Sequence, residues 1–224
     1  MAIGDSRSGF RSTGLNSISS NYDPGDNDGN NGWFEKALSL TIGQAFCPWS
    51  NLSINDDFLY QLFNSAKQGG KIRLKLIGMA RPTAVYMGLN VNDISGGTSL
   101  IQVQKWEQEI IGELKGLGIK YVFTDTTDPY TTSTDSWATS GNQTLSTYSN
   151  VMIQRNQALA AGTWATYDFF IDQRPNTESS INSGKWVTNG TANYTTGDGI
   201  HASPQLIPLK ASTAAAAIAA NIAA

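Results

Sequence analysis

The sequence predicts an α/β fold: a three-layer α/β/α sandwich of flavodoxin-like type with a mainly parallel central sheet, formed by residues 1–224 as a single domain. Three observations lead there. Compact apolar runs of strand length alternate along the chain with stretches of helical period, as in a parallel sheet covered on both faces. With 224 residues, 40% of them apolar, and six tryptophans, the chain is long enough for one sizeable core and short for two. No internal repeat divides it, and the only low-complexity tract is the alanine-rich tail.

The first apolar run, Met1-Ala2-Ile3, is very short for a strand and ends in the turn-type cluster Gly4-Asp5-Ser6. Residues 21–32 form a loop dense in Asp, Asn and Gly. Asp23, Asp26 and Asp28 lack the spacing of an EF-hand and no glutamate takes the twelfth place, so we read a solvated loop. Residues 33–40, with Phe34, Leu38 and Leu40, read as a helix. So do residues 57–63, where Phe58, Leu59, Leu62 and Phe63 follow a turn-like stretch. Residues 71–77 read as a strand, with Ile72, Leu74 and Leu76 on one face and Lys71, Arg73 and Lys75 on the other. Residues 83–91 are a β-rich run through Ala84, Val85, Tyr86 and Met87. The clearest amphipathic helix covers 99–114. Ile101, Trp106, Ile110, Ile111 and Leu114 lie on one side, Glu107 and Glu113 elsewhere, and Gly116-Leu117-Gly118 stops it. Residues 119–124 follow as a strand, 145–161 as a helix ending at Gly162, 165–171 as a strand, and 211–224 as an alanine-rich helix.

Composition narrows the function classes. A net charge of -3 with 15% charged residues gives no footprint for nucleic acid. No apolar run approaches the roughly 20 residues of a membrane span. The N-terminus is not a signal peptide, which leaves a cytoplasmic protein, a processed one, or a domain cut from a longer chain. A surface rich in Ser, Thr, Asn and Gly and poor in Lys favours a secreted or virion- or surface-associated setting over the cytoplasm. The single cysteine, Cys47, forms no internal disulfide and reads as a buried apolar residue. One histidine and one cysteine leave a zinc site short of ligands, and we expect no cofactor.

In a parallel α/β sheet, functional groups gather beyond the carboxyl ends of the strands. Ser6 follows the first strand candidate. Asn90, Asn92 and Asp93 end another, and Asp198 and His201 precede the last helix. His201 is the only histidine, so chemistry needing a base near neutral pH has no second imidazole to draw on.

Gly4-Asp5-Ser6, then Asn92-Asp93, then Asp198-Gly199-Ile200-His201, in this order over nearly the whole chain, resemble the conserved blocks of the SGNH (GDSL) hydrolase family. The chain departs from that pattern in three places. Arg7 stands where the first block has leucine. Asn90 stands where the third block has glycine, and Gly88-Leu89-Asn90 offers an alternative register. No glycine occurs between Gly43 and Gly69, so Asp56 takes the place of the second-block glycine. The resemblance implies an ester hydrolase with Ser6 as nucleophile, His201 as general base and Asp198 orienting the imidazole. Its oxyanion hole would comprise the Ser6 N–H, a backbone N–H at Asp56 and the Asn92 amide, with Asn90 as the alternative to Asn92.

The implied partner is a small-molecule or polysaccharide ester. Trp33, Trp49, Tyr130, Trp137, Trp186 and Tyr194 are scattered through polar segments and suit sugar faces. The loops at 126–144 and 176–197 are long for a compact domain. We therefore expect a carbohydrate O-acetylesterase or a short-chain acyl esterase. The alternative is a weak or inactive binding domain of a phage tail or surface protein. The absent second-block glycine favours it; the presence of Ser6, Asp198 and His201 opposes it.

Overall fold

Residues 1–4, 37, 38, 40, 52, 53, 57–63 and 70–222 are described by the structure, a computed structural model. The calls at 21–32, on Cys47, Trp33 and Trp49, and on Ser6 and Asp56, lie outside the described residues, as does most of 33–40; Ala37, Leu38 and Leu40 are helical.

Among the described residues the strands are β1 (Ala2–Gly4), β2 (Ala84–Gly88), β3 (Tyr121–Asp125), β4 (Thr131–Ser133), β5 (Gln143–Leu145) and β6 (Phe169–Ile171). The helices are α1 (Gly70–Ala80), α2 (Val91–Ser95), α3 (Leu100–Gly116), α4 (Ser149–Ala160), α5 (Arg174–Thr177) and α6 (Ile207–Asn221), with a 3₁₀ turn at Leu59–Leu62. Strands β1, β2, β3 and β6 lie side by side in that order, each pair parallel, while β4 and β5 form a separate antiparallel hairpin.

Alternation along the strands makes the layers. Ile3, Val85, Met87 and Val122 point to one face and pack with Leu74 and Ile77 of α1, Ile110 and Leu114 of α3 and Met152 of α4. Ala2, Tyr86, Phe123 and Ile171 point to the other and meet Ala211, Ala214 and Ile218 of α6. With both faces buried, parallel strands read as continuous apolar runs, which is why β2 and β3 were visible in the sequence. On the α6 side the aromatic rings form a row, with Phe123 stacked on Phe169 at 4.5 Å and tilted against Tyr86 at 5.7 Å. The alanines of α6 bring its backbone close over these large rings. This gives the alanine-rich segment a packing role beyond its helix propensity. No helix among the described residues is long and apolar enough to cross a membrane.

Several elements differ from expectation. The stretch 71–77 is part of helix α1, not a strand. Its buried side is Gly70, Arg73, Leu74 and Ile77, whereas Ile72 and Leu76 are 59% and 42% exposed. Alternating basic and apolar residues imitated a two-residue period because Arg73, read as solvated, is buried in an ion pair with Asp57. In α3, Glu107 is fully buried and Ile101 is 79% exposed, opposite to the predicted faces, because Glu107 pairs with the buried Arg155. The helix expected over 145–161 begins at Ser149, since Gln143–Leu145 is drawn into the hairpin. Strand β2 stops at Gly88, and Val91 opens α2 instead of ending the strand. The strand expected over 165–171 is confined to Phe169–Ile171, and only a 3₁₀ turn forms within 57–63.

Candidate active site

The register of β1 and β2 sets Gly4 opposite Gly88 at the carboxyl edge of the sheet. In sequence, Ser6 follows the first by two residues and Asn90 follows the second by two. Gly4 of the first sequence-read block and the end of β2 that leads to Asn90 thus meet at the edge where parallel sheets carry their sites.

The Asp198–His201 segment is a tight, internally bonded turn. His201 Nδ1 faces Asp198 Oδ2 at 2.7 Å, while Asp198 Oδ1 accepts the backbone N–H groups of Ile200 and His201, each at 2.8 Å. One carboxylate therefore holds both the ring and the backbone that carries it. Burial by itself raises the Asp198 carboxyl. The hydrogen bonds from the His201 ring and from the His201 and Ile200 N–H groups outweigh it and hold the pKa at about 2. His201 is buried, and Asp198 is the more open partner.

Gly199, between them, is what permits this turn. Its φ is +78°, and an added Cβ would lie 1.8 Å from the Thr131 carbonyl oxygen and 2.8 Å from the Trp137 ring. The Gly199 carbonyl accepts the Thr131 N–H of β4 at 3.1 Å and the Trp186 indole N–H at 3.0 Å. Gln143 of β5 completes the bed, accepting the Trp186 N–H at 2.8 Å and donating to its carbonyl at 2.9 Å. The long loop at 126–144 thus supports the histidine turn. Asp135 organises it by accepting from Ser133, Thr139 and Asn142, bonds that hold its carboxyl well below the usual range.

Trp186 is fully buried, so its expected place on an open sugar-binding loop is corrected: the ring is core and its N–H is used on Gly199. Trp137 is partly buried with its N–H on Thr131 Oγ1 at 3.0 Å, and Tyr130 and Tyr194 are partly buried as well.

The two asparagines have different surroundings. Asn92 lies within α2, and its amide donates to the Asp57 carbonyl at 2.9 Å. Its neighbour Asp93 accepts the Leu59 N–H with both oxygens, at 2.9 and 3.2 Å. Together they clip the 57–59 segment, just after Asp56 in sequence, against α2. Asn90 is buried between β2 and α2, with its Oδ1 accepting from Thr127 Oγ1 at 2.9 Å. Behind Thr127 lies a polar network that the sequence did not reveal. Arg155 Nη1 donates to Thr127 Oγ1 at 3.1 Å and Arg155 Nε donates to Glu107 at 3.1 Å, with both charged side chains fully buried. Glu107 also accepts from Trp164 and Tyr167. Among the described residues no group of three or more His, Cys, Asp or Glu is placed to hold a metal ion.

No protein-family model matches the chain, and no curated protein matches it significantly. Solved structures do match. TesA aligns over 99% of this chain and 98% of its own at 16% identity, with a TM-score of 0.59. The lipase/acylhydrolase from Enterococcus faecalis aligns over 98% and 94% at 17% identity, with a TM-score of 0.59. The chain has the SGNH hydrolase fold. An acetylxylan esterase from Geobacillus stearothermophilus aligns more loosely, over 95% of this chain and 90% of its own at 14% identity, with a TM-score of 0.50. The buried ion pair of Lys210 with Asp128 ties α6, directly after the histidine turn, to the loop after β3.

Proposed function

We propose that this protein is a serine esterase acting through Ser6, His201 and Asp198. The observation that carries the reading is the 2.7 Å contact of His201 Nδ1 with an Asp198 carboxylate that also holds the turn's backbone. With Nδ1 on the carboxylate, Nε2 is the nitrogen that would exchange a proton with the nucleophile. Ser6 Oγ attacks the ester carbonyl carbon as its proton passes to His201 Nε2, and the carbonyl oxygen becomes an oxyanion. Collapse breaks the bond to the alcohol oxygen, which takes the proton from His201 and leaves an acyl-Ser6. Water then attacks with the same base, releasing the acid and restoring Ser6. The oxyanion would be bound by the Ser6 N–H, a backbone N–H at Asp56 and an asparagine amide. Asn90 suits the last role better than Asn92, whose amide is bonded to Asp57.

For the substrate we propose a short-chain acyl ester, with an O-acetylated carbohydrate as the first candidate. The acetylxylan esterase likeness and the partly exposed Trp137, Tyr130 and Tyr194 support it; the burial of Trp186 removes one aromatic from the argument. The test is hydrolysis of p-nitrophenyl acetate, longer p-nitrophenyl esters and acetylated xylooligosaccharides, with Ser6→Ala and His201→Ala as controls. Turnover that survives either substitution overturns the triad. Equal turnover of acetyl and long acyl chains overturns the short-chain preference.

A further inference from the structure

We propose that Thr127 and Arg155 are positioning residues that fix which way round the Asn90 side-chain amide is held. The inference rests on the reading of Asn90 as oxyanion donor. An amide presents an acceptor at one end and two donors at the other, and a simple rotation exchanges them. Only one orientation leaves Nδ2 for an oxyanion. Something must therefore set the direction.

The structure has a chain of groups able to do it. Arg155 has donors only, so the Thr127 hydroxyl oxygen, 3.1 Å from Nη1, can only accept from it. The hydroxyl's own proton is then directed to Asn90, 2.9 Å away. A donor facing the amide demands its oxygen, which turns Nδ2 away from Thr127. Thr127 cannot drift, because Asn156 grips its backbone from both sides: the Thr127 N–H donates to Asn156 Oδ1 and Asn156 Nδ2 donates to the Thr127 carbonyl, each at 2.8 Å. Arg155 is locked in turn by Glu107, by the Asp125 carbonyl at 3.1 Å and by Thr124 Oγ1 at 3.3 Å. Thr124 Oγ1 donates to the Met87 carbonyl at 2.7 Å, so the same cluster also fixes the end of β2 from which Asn90 projects. A buried guanidinium is expensive to keep. Here it sets the polarity of a hydrogen-bond chain ending at the proposed oxyanion donor.

The test is steady-state hydrolysis of p-nitrophenyl acetate by wild type, Thr127→Val, Thr127→Ser, Asn90→Ala and the Asn90→Ala/Thr127→Val double variant, with Ser6→Ala as a control. Thr127→Val should lower kcat about tenfold or more, with KM within about twofold, because a misdirected donor weakens transition-state binding rather than substrate binding. Thr127→Ser, which keeps the hydroxyl, should return to within about threefold of wild type. In the Asn90→Ala background Thr127→Val should have no further effect on kcat, since there is no amide left to orient. If Thr127→Val does not fold, Thr127→Ala is measured with the same expectations. An unchanged kcat in the valine variant, or an equal loss with and without Asn90, overturns the positioning role. Failure of the functional reading is separate: it shows as an inactive wild type or an active Ser6→Ala, and takes this inference with it.

Discussion

The carbonyl oxygen of Gly199 accepts the indole N–H of Trp186 at 3.0 Å, tying the turn that carries His201 to a ring buried in the core. Trp186→Phe keeps most of the ring and removes the donor. The carbonyl retains Thr131, so the expected loss is about 1 kcal/mol in stability. A several-fold fall in kcat on p-nitrophenyl acetate should accompany it; thermal unfolding and initial rates measure the two effects.

Gly199→Ala should be far more damaging than its chemistry suggests. The new methyl would overlap the Thr131 carbonyl, in a left-handed backbone conformation that alanine rarely adopts. We expect at least about 2 kcal/mol of destabilisation, read as a shift of the urea midpoint. Gly190→Ala is the control. Its φ is also positive, at +87°, but nothing lies within 4 Å of the added Cβ, so it should cost only about 1 kcal/mol.

Asp198 is held at about 2 in the folded chain, below its ordinary value of 3.8. A depressed carboxyl contributes stability that is complete above its unfolded value and is lost as pH falls through the folded one. Acid titration of stability between about pH 4 and pH 2 should therefore be steeper in wild type than in Asp198→Asn. The side chain is 37% exposed, so solvent screening limits the difference to about 1 kcal/mol. The same substitution should lower kcat by roughly 10³–10⁴, through loss of the orienting partner of His201.

Glu178 behaves in the opposite sense. Burial, opposed by backbone hydrogen bonds from Asn182 and Ser183 and by Arg174, pushes its carboxyl up from 4.5 to about 7. Across that window the folded chain holds a proton that the unfolded chain has released, so stability falls as pH rises and the full penalty applies above about pH 7. Glu178→Gln should stabilise the chain at pH 8 by on the order of 1–3 kcal/mol, read as a higher urea midpoint, and change it little at pH 4.

The two asparagines should separate by assay. Asn90→Ala is expected to lower kcat by roughly 10²–10³ with a modest change in stability. Asn92→Ala removes the clip to Asp57 and should act mainly on the melting temperature, by about 1 kcal/mol in stability.

The legible parts of this chain were those where local chemistry and global packing agree. Strands β2 and β3 stood out because both faces are buried, and α3 because Ser99 caps its start and Gly118 follows its end. Asp198-Gly199-Ile200-His201 was legible because its members bond to one another within four residues. Burial of charge was not legible. Arg73 in α1 and Glu107 in α3 are inward-facing because Asp57 and Arg155 meet them from other parts of the chain, and no local period encodes a partner 16 or 48 residues away. The end of β2 was not legible either: Val91 reads as part of the β-rich run, yet the strand stops at Gly88 and Val91 begins a helix. The sequence likewise concealed the roles of Trp186 and Thr127, since each depends on contacts assembled only by the fold.

The bed beneath His201 is the β4–β5 hairpin, three residues a side, joined to the histidine turn through Thr131 and to Trp186 through Gln143. Two-stranded ribbons of this size have little stability of their own. The proposed hydrolysis should consequently fade on warming before far-ultraviolet signals register any melting of the central sheet, which would make its thermal optimum a property of the smallest sheet. Grafting a stronger turn between Ser133 and Gln143 should therefore extend the working temperature range without touching a residue of the proposed triad.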